Sequence, residues 1–271
     1  MINDITIGQY FPGNSIVHKL DARIKLILTF AFIVAIFLCK NFVSLGIVSF
    51  VLVFGIIVSG ISPKTILKSL KAIIVIVIVT SLLQIFYNKD GSMLFEWKFI
   101  HISSKGLMLA GFTSLRIILL IIAGSMLTYT TSPTVLTDAI ERLFSPLNKL
   151  KIDVHVLAMM MTIALSFIPI LIKEIDKIMS AQKARGAVFD EGGLIKRSQA
   201  LMTVIVPLFV NSFRRAYELS FSMECRCYKG GEGRTRLREM KVKLIDALSV
   251  VFIAVLIFAV ILTNIYFLSV M

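Results

Sequence analysis

Two arginines, each set between small residues, are the groups in this chain best equipped for recognition chemistry. Arg185 lies between Ala184 and Gly186, and Arg226 lies between Cys225 and Cys227, 41 residues further on. A guanidinium stays charged at any physiological pH and makes forked hydrogen bonds to a carboxylate, which a lysine ammonium cannot do. Small neighbours leave it free to enter a groove. One such triplet is a weak signal, because many solvated helix ends look alike. Two of them, each ending an amphipathic helical pattern in one basic stretch, point to a protein that grips a soluble partner at two places. Cys225 and Cys227 could also be half of a metal site. The histidines His18, His101 and His155 are scattered, however, and Cys39 closes an apolar run. No metal is expected, and the cysteines read as small, reduced residues.

The rest of the chain lacks what catalysis needs. There is no HExxH, no GxGxxG opening a helix and no Walker-type loop. Gly230-Gly231-Glu232-Gly233 reads as a flexible connection ahead of Arg234, Arg236 and Arg238, not as a phosphate loop. No pair of acidic residues falls inside an apolar run to act as a proton relay, and Asp246, near the start of the last run, reads as interfacial. Arg116 is the one charge deep in an apolar run. It reads first as a structural arginine bonding backbone carbonyls, and second as a contact for a partner subunit. The chain is therefore expected to be neither an enzyme nor a cofactor protein.

These arginines must be positioned by a membrane protein. Hydrophobic residues make up 57% of the 271, and the mean hydropathy is +0.90, far outside the soluble globular range. The net charge of +13 sits in short stretches between apolar runs. That distribution fits positive cytoplasmic loops facing a bilayer and not a nucleic-acid surface. Residues 1–20 carry Asp4, Pro12 and His18 and no apolar core, so no cleavable signal peptide is expected there.

Apolar runs able to span occur at 24–39, 42–60, 72–87, 106–129 and 244–270. Ser62 to Lys71 reads as a basic loop, and 88–105 as a polar turn with a small interfacial hairpin anchored by Trp97. Residues 154–172 are apolar enough to cross as well, but charge parity argues against it. With the N-terminus inside, four crossings return the chain inside near residue 130. The stretch 173–243 must also be inside, since fifteen Lys/Arg face eight Asp/Glu there, a net +7. Residues 154–172 then lie along the interface or beneath the bundle, with Pro169 as a kink. The alternative of six spans with the N-terminus outside would put Lys64, Lys68 and Lys71 outside. The expected fold is an all-α membrane protein with about five transmembrane helices and a cytoplasmic or interfacial coupling domain of three helices, two of them long and crossed. Residues 1–130 carry spans one to four, and 131–241 form the coupling domain with helices near 133–148, 152–187 and 197–227. Residues 242–271 make the last span. Asp190-Glu191-Gly192-Gly193 breaks the two long helices apart.

The run Gly8-Gln9-Tyr10 … Pro12-Gly13-Asn14-Ser15, then His18-Lys19-Leu20-Asp21-Ala22-Arg23-Ile24-Lys25-Leu26, resembles the opening of the T component of energy-coupling factor transporters. This component is the transmembrane scaffold of a class of bacterial vitamin and metal importers. The likeness continues through Thr130-Thr131-Ser132-Pro133, Asp138 to Leu143 and Pro146-Leu147, and ends at Ala181 to Gly186 and Met223 to Tyr228. The resemblance implies a bacterial cell-membrane protein whose two arginine motifs dock on two cytoplasmic ABC-type ATPases, which themselves bind ATP and Mg. Arg185 and Arg226 would meet acidic ATPase residues, with Ala184, Gly186, Cys225 and Cys227 as the small flanks. It further implies a separate small substrate-binding membrane protein that sets specificity and is cradled by the apolar coupling helices. The second triplet departs from the Ala-Arg-Gly pattern, and the inequality leans towards two different ATPases. The competing class is a self-sufficient secondary carrier or channel. It would need polar groups lining the spans and an internal repeat, and neither is visible.

Overall fold

The computed structural model describes residues 10–71, 73–87, 93–97, 100–146, 153–187, 189, 193–230 and 242–267. Helices dominate. In chain order they are α1 (Ile16–Lys19), α2 (Ala22–Leu38), α3 (Phe42–Ser59), α4 (Pro63–Lys71), α5 (Ile74–Tyr87), α6 (Ser104–Thr130), α7 (Pro133–Phe144), α8 (Val154–Ala184), α9 (Leu194–Cys225) and α10 (Leu244–Tyr266). Between α5 and α6 a two-stranded antiparallel hairpin, β1 (Met93–Trp97) and β2 (Ile100–Ser103), pairs Glu96 with His101 and Trp97 with Ile100. The side chain of Trp97, expected as an anchor, lies outside the described residues, as do residues 88–92, 147–152, 190–192 and 231–241, among them the expected polar turn after Tyr87, break at Asp190-Glu191-Gly192 and flexible connection from Gly231.

Among the described residues, α3, α6, α8 and α10 are long and apolar enough to cross a membrane, and α4 with α5 qualifies as one bent span. With 17 residues, α2 is short for a bilayer that needs about 20. Hydropathy by itself therefore counts α8 as a crossing, and the case against it rests on charge parity. One expectation is corrected: residues 62–71 are not a loop. Pro63 sits at the first helical position, which suits its fixed φ and missing N–H. Ile66 is buried on one face and the lysines project from the other, so the segment is an amphipathic helix.

The contacts divide the chain into two compact units, one holding Ile140–Arg238 and the other Gly8–Ala139 with Glu239–Met271. In the second, Phe32, Ile36, Leu45, Val48, Leu52, Phe112, Leu119, Leu256 and Val260 form one core shared by α2, α3, α6 and α10. The long apolar side chains on the outer faces of these helices are exposed, as expected where hydrocarbon is the solvent.

Polar ties fix the ends of these helices. Asp246, 1% exposed, accepts from the backbone N–H of Asp21 at 2.9 Å and of Lys243 at 2.7 Å. It thus caps α10 and holds the start of α2. The Asp21 carboxylate caps α2 by accepting from the Arg23 N–H at 2.9 Å. At the far end, Asn264 Nδ2 donates to the Leu38 carbonyl at 2.7 Å, and Lys40 N–H donates to Asn264 Oδ1 at 3.2 Å. Asn41 Nδ2 adds bonds to the Thr263 and Phe267 carbonyls. Helix α10 is thereby stapled parallel to α2 at both ends.

The last carbonyls of α6, which have no intrahelical donors, are served by the N-terminal segment. Phe11 N–H reaches the Tyr129 carbonyl at 3.0 Å. The buried Lys25 ammonium donates to the Thr130 carbonyl at 3.2 Å and to Thr131 Oγ1 at 3.1 Å. The motif before α2 is built for this. His18 bonds Ser15 Oγ at 2.6 Å and the Phe11 carbonyl at 3.0 Å. A Cβ at Gly13 would come within 2.8 Å of the His18 ring, so the ring's close approach requires glycine there. Arg116 takes the structural role: it donates to the carbonyl of Cys39, the residue closing α2, and lies 4.7 Å over the Phe112 ring.

Asp246→Ala leaves two backbone N–H groups without their acceptor, and each lost partner typically costs about 1–3 kcal/mol. The thermal unfolding midpoint in detergent should fall accordingly. Asp246→Asn, which keeps an acceptor, should recover part of the loss.

Candidate docking site

The two arginine triplets fall at the C-termini of the two longest helices. Helix α8 runs 31 residues to Ala184, with Arg185 as its C-cap; α9 runs 32 residues to Cys225, with Arg226 as its C-cap. Both ends close the same way. Gly186 N–H bonds the Lys183 carbonyl at 3.0 Å and Ala187 N–H bonds the Gln182 carbonyl at 3.0 Å. At the second end, Cys227 N–H bonds the Glu224 carbonyl at 2.9 Å and Tyr228 N–H bonds the Met223 carbonyl at 3.1 Å. Each is the paired closure of a Schellman motif, which needs a left-handed residue just past the cap. Gly186 has φ +87 and Cys227 has φ +54, the one positive φ at a non-glycine among the described residues.

Sequence comparison of Cys-Arg-Cys with Ala-Arg-Gly makes the second triplet look divergent, but its backbone is the same device. Arg185, Arg226, Ala184, Gly186, Cys225 and Cys227 are all exposed, and the cysteine thiols are free. Neither guanidinium has a hydrogen bond or ion pair among the described residues. Two permanent charges are presented at helix C-termini, where a cation also suits the negative end of the helix dipole.

The helices that carry these ends pack together. Glu174 of α8 accepts from Asn211 Nδ2 at 2.9 Å and pairs with Arg215 at 3.6 Å. Nearer the tip, Gln182 Nε2 donates to the Thr203 carbonyl at 3.4 Å. The order of these pairs makes α8 and α9 antiparallel. Pro207, inside α9, explains the second contact. Lacking an N–H, it cannot serve the carbonyl four residues back, which belongs to Thr203, and Gln182 supplies a donor instead. From Thr203 the helix continues 22 residues to Cys225, or about 33 Å at 1.5 Å per residue. The two arginines are thus presented at well-separated points. Helix α7 is joined to α8 by Glu141 and His155, whose Oε1 and Nδ1 lie 2.8 Å apart.

Helix α9 also leaves an apolar face uncovered, with Ile205, Phe209, Phe213, Tyr217 and Phe221 all exposed at spacings of about one turn. A soluble helix rarely leaves so much apolar surface open.

Residues 13–237 match the model of the CbiQ family, described as a cobalt transport protein. The energy-coupling factor transporter transmembrane protein EcfT of Clostridium kluyveri is 47% identical over 268 residues, 98% of this chain and 99% of its own. That of Ruminiclostridium cellulolyticum is 47% identical over 248 residues, 92% of each chain. The Bacillus subtilis protein of the same name is 43% identical over 240 residues, 89% of this chain and 91% of its own.

Holding cysteine in the left-handed region costs about 1–2 kcal/mol. Cys227→Gly should therefore raise the thermal unfolding midpoint of the protein, while Gly186→Cys should lower it. Equal midpoints for Cys227→Gly and the unaltered chain would mean that Cys227 does not hold this conformation in solution.

Proposed function

The chain belongs to the CbiQ family, as the non-catalytic transmembrane component of an energy-coupling factor transporter, and from that premise we propose that Arg185 and Arg226 are its docking points for two cytoplasmic ATPases. The observation that carries this reading is the pair of exposed, unpartnered guanidiniums on identically closed ends of two antiparallel helices. Each ATPase contributes a groove with a carboxylate, which a guanidinium engages through a fork. The helix end seats in the groove, and its small flanks Ala184 and Gly186, or Cys225 and Cys227, allow the close approach. ATP and Mg stay with the ATPases, and this chain holds neither.

The coupling is mechanical. ATP binding draws the ATPases together, and the two tips follow. Helices α8 and α9, pinned at Glu174 with Asn211 and at Gln182 with Thr203, convert that motion into a shift of their apolar faces. A separate small substrate-binding membrane protein rests on those faces and is tipped to release a vitamin or other micronutrient inside. The exposed apolar side chains of α9 support this partner, since they need an apolar cover. For the cycle to run, the contacts must differ in free energy between the ATP-bound and free states. The net +7 of residues 173–243 supports a cytoplasmic position for both tips in a bacterial cell membrane.

The side chains beside the arginines favour two different ATPases. Lys183 precedes the first triplet and Glu224 the second, so one tip carries an extra positive charge and the other a compensating negative one. Identical grooves would match these unequally.

A charge-assisted hydrogen bond of about 1.5–3 kcal/mol at each tip corresponds to a loss of roughly tenfold or more in ATPase affinity for Arg185→Ala or Arg226→Ala alone. Arg185→Glu combined with Arg226→Glu, which adds repulsion, should abolish both co-purification of the ATPases and substrate uptake. Undiminished ATPase binding by the double variant would refute the docking role. Uptake by this chain alone in vesicles would favour a self-sufficient carrier instead.

A further inference from the structure

Helix α4 presents a feature that docking leaves unused. Lys64, Lys68 and Lys71 are all exposed and recur at i, i+4 and i+7, which places them within an arc of about 60° at 100° per residue. None makes a hydrogen bond or ion pair among the described residues. No acidic residue occurs anywhere between Asp21 and Asp90, so the neighbouring sequence offers these three charges no counter-ion. Leu67, about 40° beyond the Lys71 side of that arc, is 64% exposed. The opposite face is committed: Ile66 is buried with Tyr129 and Ile61, and the Ser69 hydroxyl bonds the Tyr129 hydroxyl.

The surroundings decide what can meet this face. Only residues 60–62 separate α4 from α3, and only 72–73 separate it from α5. Its axis meets that of α5 at 58°. A short helix with three lysines on one face, tethered this tightly between two apolar helices and inclined to the second, suits the bilayer surface better than its interior. There an apolar side chain dips towards the acyl region while flanking lysine stems run up to the headgroups.

We propose that α4 is a binding surface for anionic phospholipid headgroups, with Lys64, Lys68 and Lys71 contacting their phosphates and Leu67 inserted beside the acyl chains. An acidic protein surface would meet the same charge, but it would not explain Leu67 on the lysine face or the confinement of α4 between spans. The inference rests on α3 and α5 being membrane helices and is independent of the ATPase docking at Arg185 and Arg226.

The test uses the full chain, alone and with its ATPases, in nanodiscs containing equal phosphatidylglycerol and phosphatidylcholine, with retained lipid counted by native mass spectrometry. The unaltered protein should retain phosphatidylglycerol preferentially, and the preference should fall as salt is raised. Removing about fivefold of preference per charge, Lys64→Gln with Lys68→Gln and Lys71→Gln should lower it by at least about tenfold. The triple Lys→Arg variant should keep it. ATPase co-purification should be unchanged in both. An unaltered lipid preference in the triple Gln variant would overturn the proposal. So would loss of the ATPases with lipid retention intact, since the stripe would then be a protein-docking surface.

Discussion

The carbonyls that end α6 are the constraint on which the membrane unit is organised. A helix terminus in a low-dielectric setting leaves backbone acceptors that water cannot reach, and each needs a donor from the protein. Here the donors come from more than a hundred residues upstream: Phe11 N–H for Tyr129 and the Lys25 ammonium for Thr130. For Lys25 to be in place, α2 must begin where it does. That start is set by the Asp21 cap and by Asp246, which takes the Asp21 N–H from the first turn of α10. One knot therefore fixes the relation of α2, α6 and α10. It lies where the chain leaves α6 for α7.

The same accounting of helix ends governs α8 and α9, with the opposite outcome. At α6 a cation is buried to satisfy terminal carbonyls. At α8 and α9 the terminal carbonyls are satisfied internally by the Schellman closure, and the cation is released to the outside. A guanidinium engaged with its own helix end would be a poor hook for another protein. Closing the backbone first is what leaves Arg185 and Arg226 unpartnered. Gly186 reaches the necessary conformation without steric cost, whereas Cys227 reaches it against a preference. The second tip thus keeps the form of the first at some expense in local stability.

Much of this was legible in the sequence because it depended on periodicity and charge. The long apolar runs gave α3, α5, α6 and α10 nearly at their observed limits, and the amphipathic patterns ending at the two arginine triplets gave α8 and α9. The carbonyl-bonding role first read for Arg116 is the one it has. Helix α4 was missed because three lysines in nine residues depress hydropathy enough to resemble a loop. Its buried apolar residue, Ile66, packs with Tyr129, a residue remote in sequence. Asp246 looked like an interfacial charge, since nothing local reveals that its partner is the backbone of Asp21. The equivalence of the two tips was hidden for a related reason. Side-chain identity separates Cys227 from Gly186, while the property they share is a dihedral angle imposed by the helix end.

Pro207 shows how a local defect becomes a joint. A proline within a helix removes one hydrogen bond and leaves one carbonyl exposed, which would weaken a lever expected to carry force. In α9 that carbonyl belongs to Thr203 and is taken up by Gln182, whose own carbonyl accepts from Arg185 and Ala187 in the closure of the first tip. The loss in one helix thus becomes a bond to the other, one turn from Arg185. This joint is the tie between the two helices that lies nearest to Arg185. Beyond it α9 runs roughly another 30 Å, past the Glu174 bonds to Asn211 and Arg215, to Arg226. The ends of α8 and α9 are in this way members of one frame, and the frame holds because a backbone acceptor left bare by proline found its donor across the helix pair.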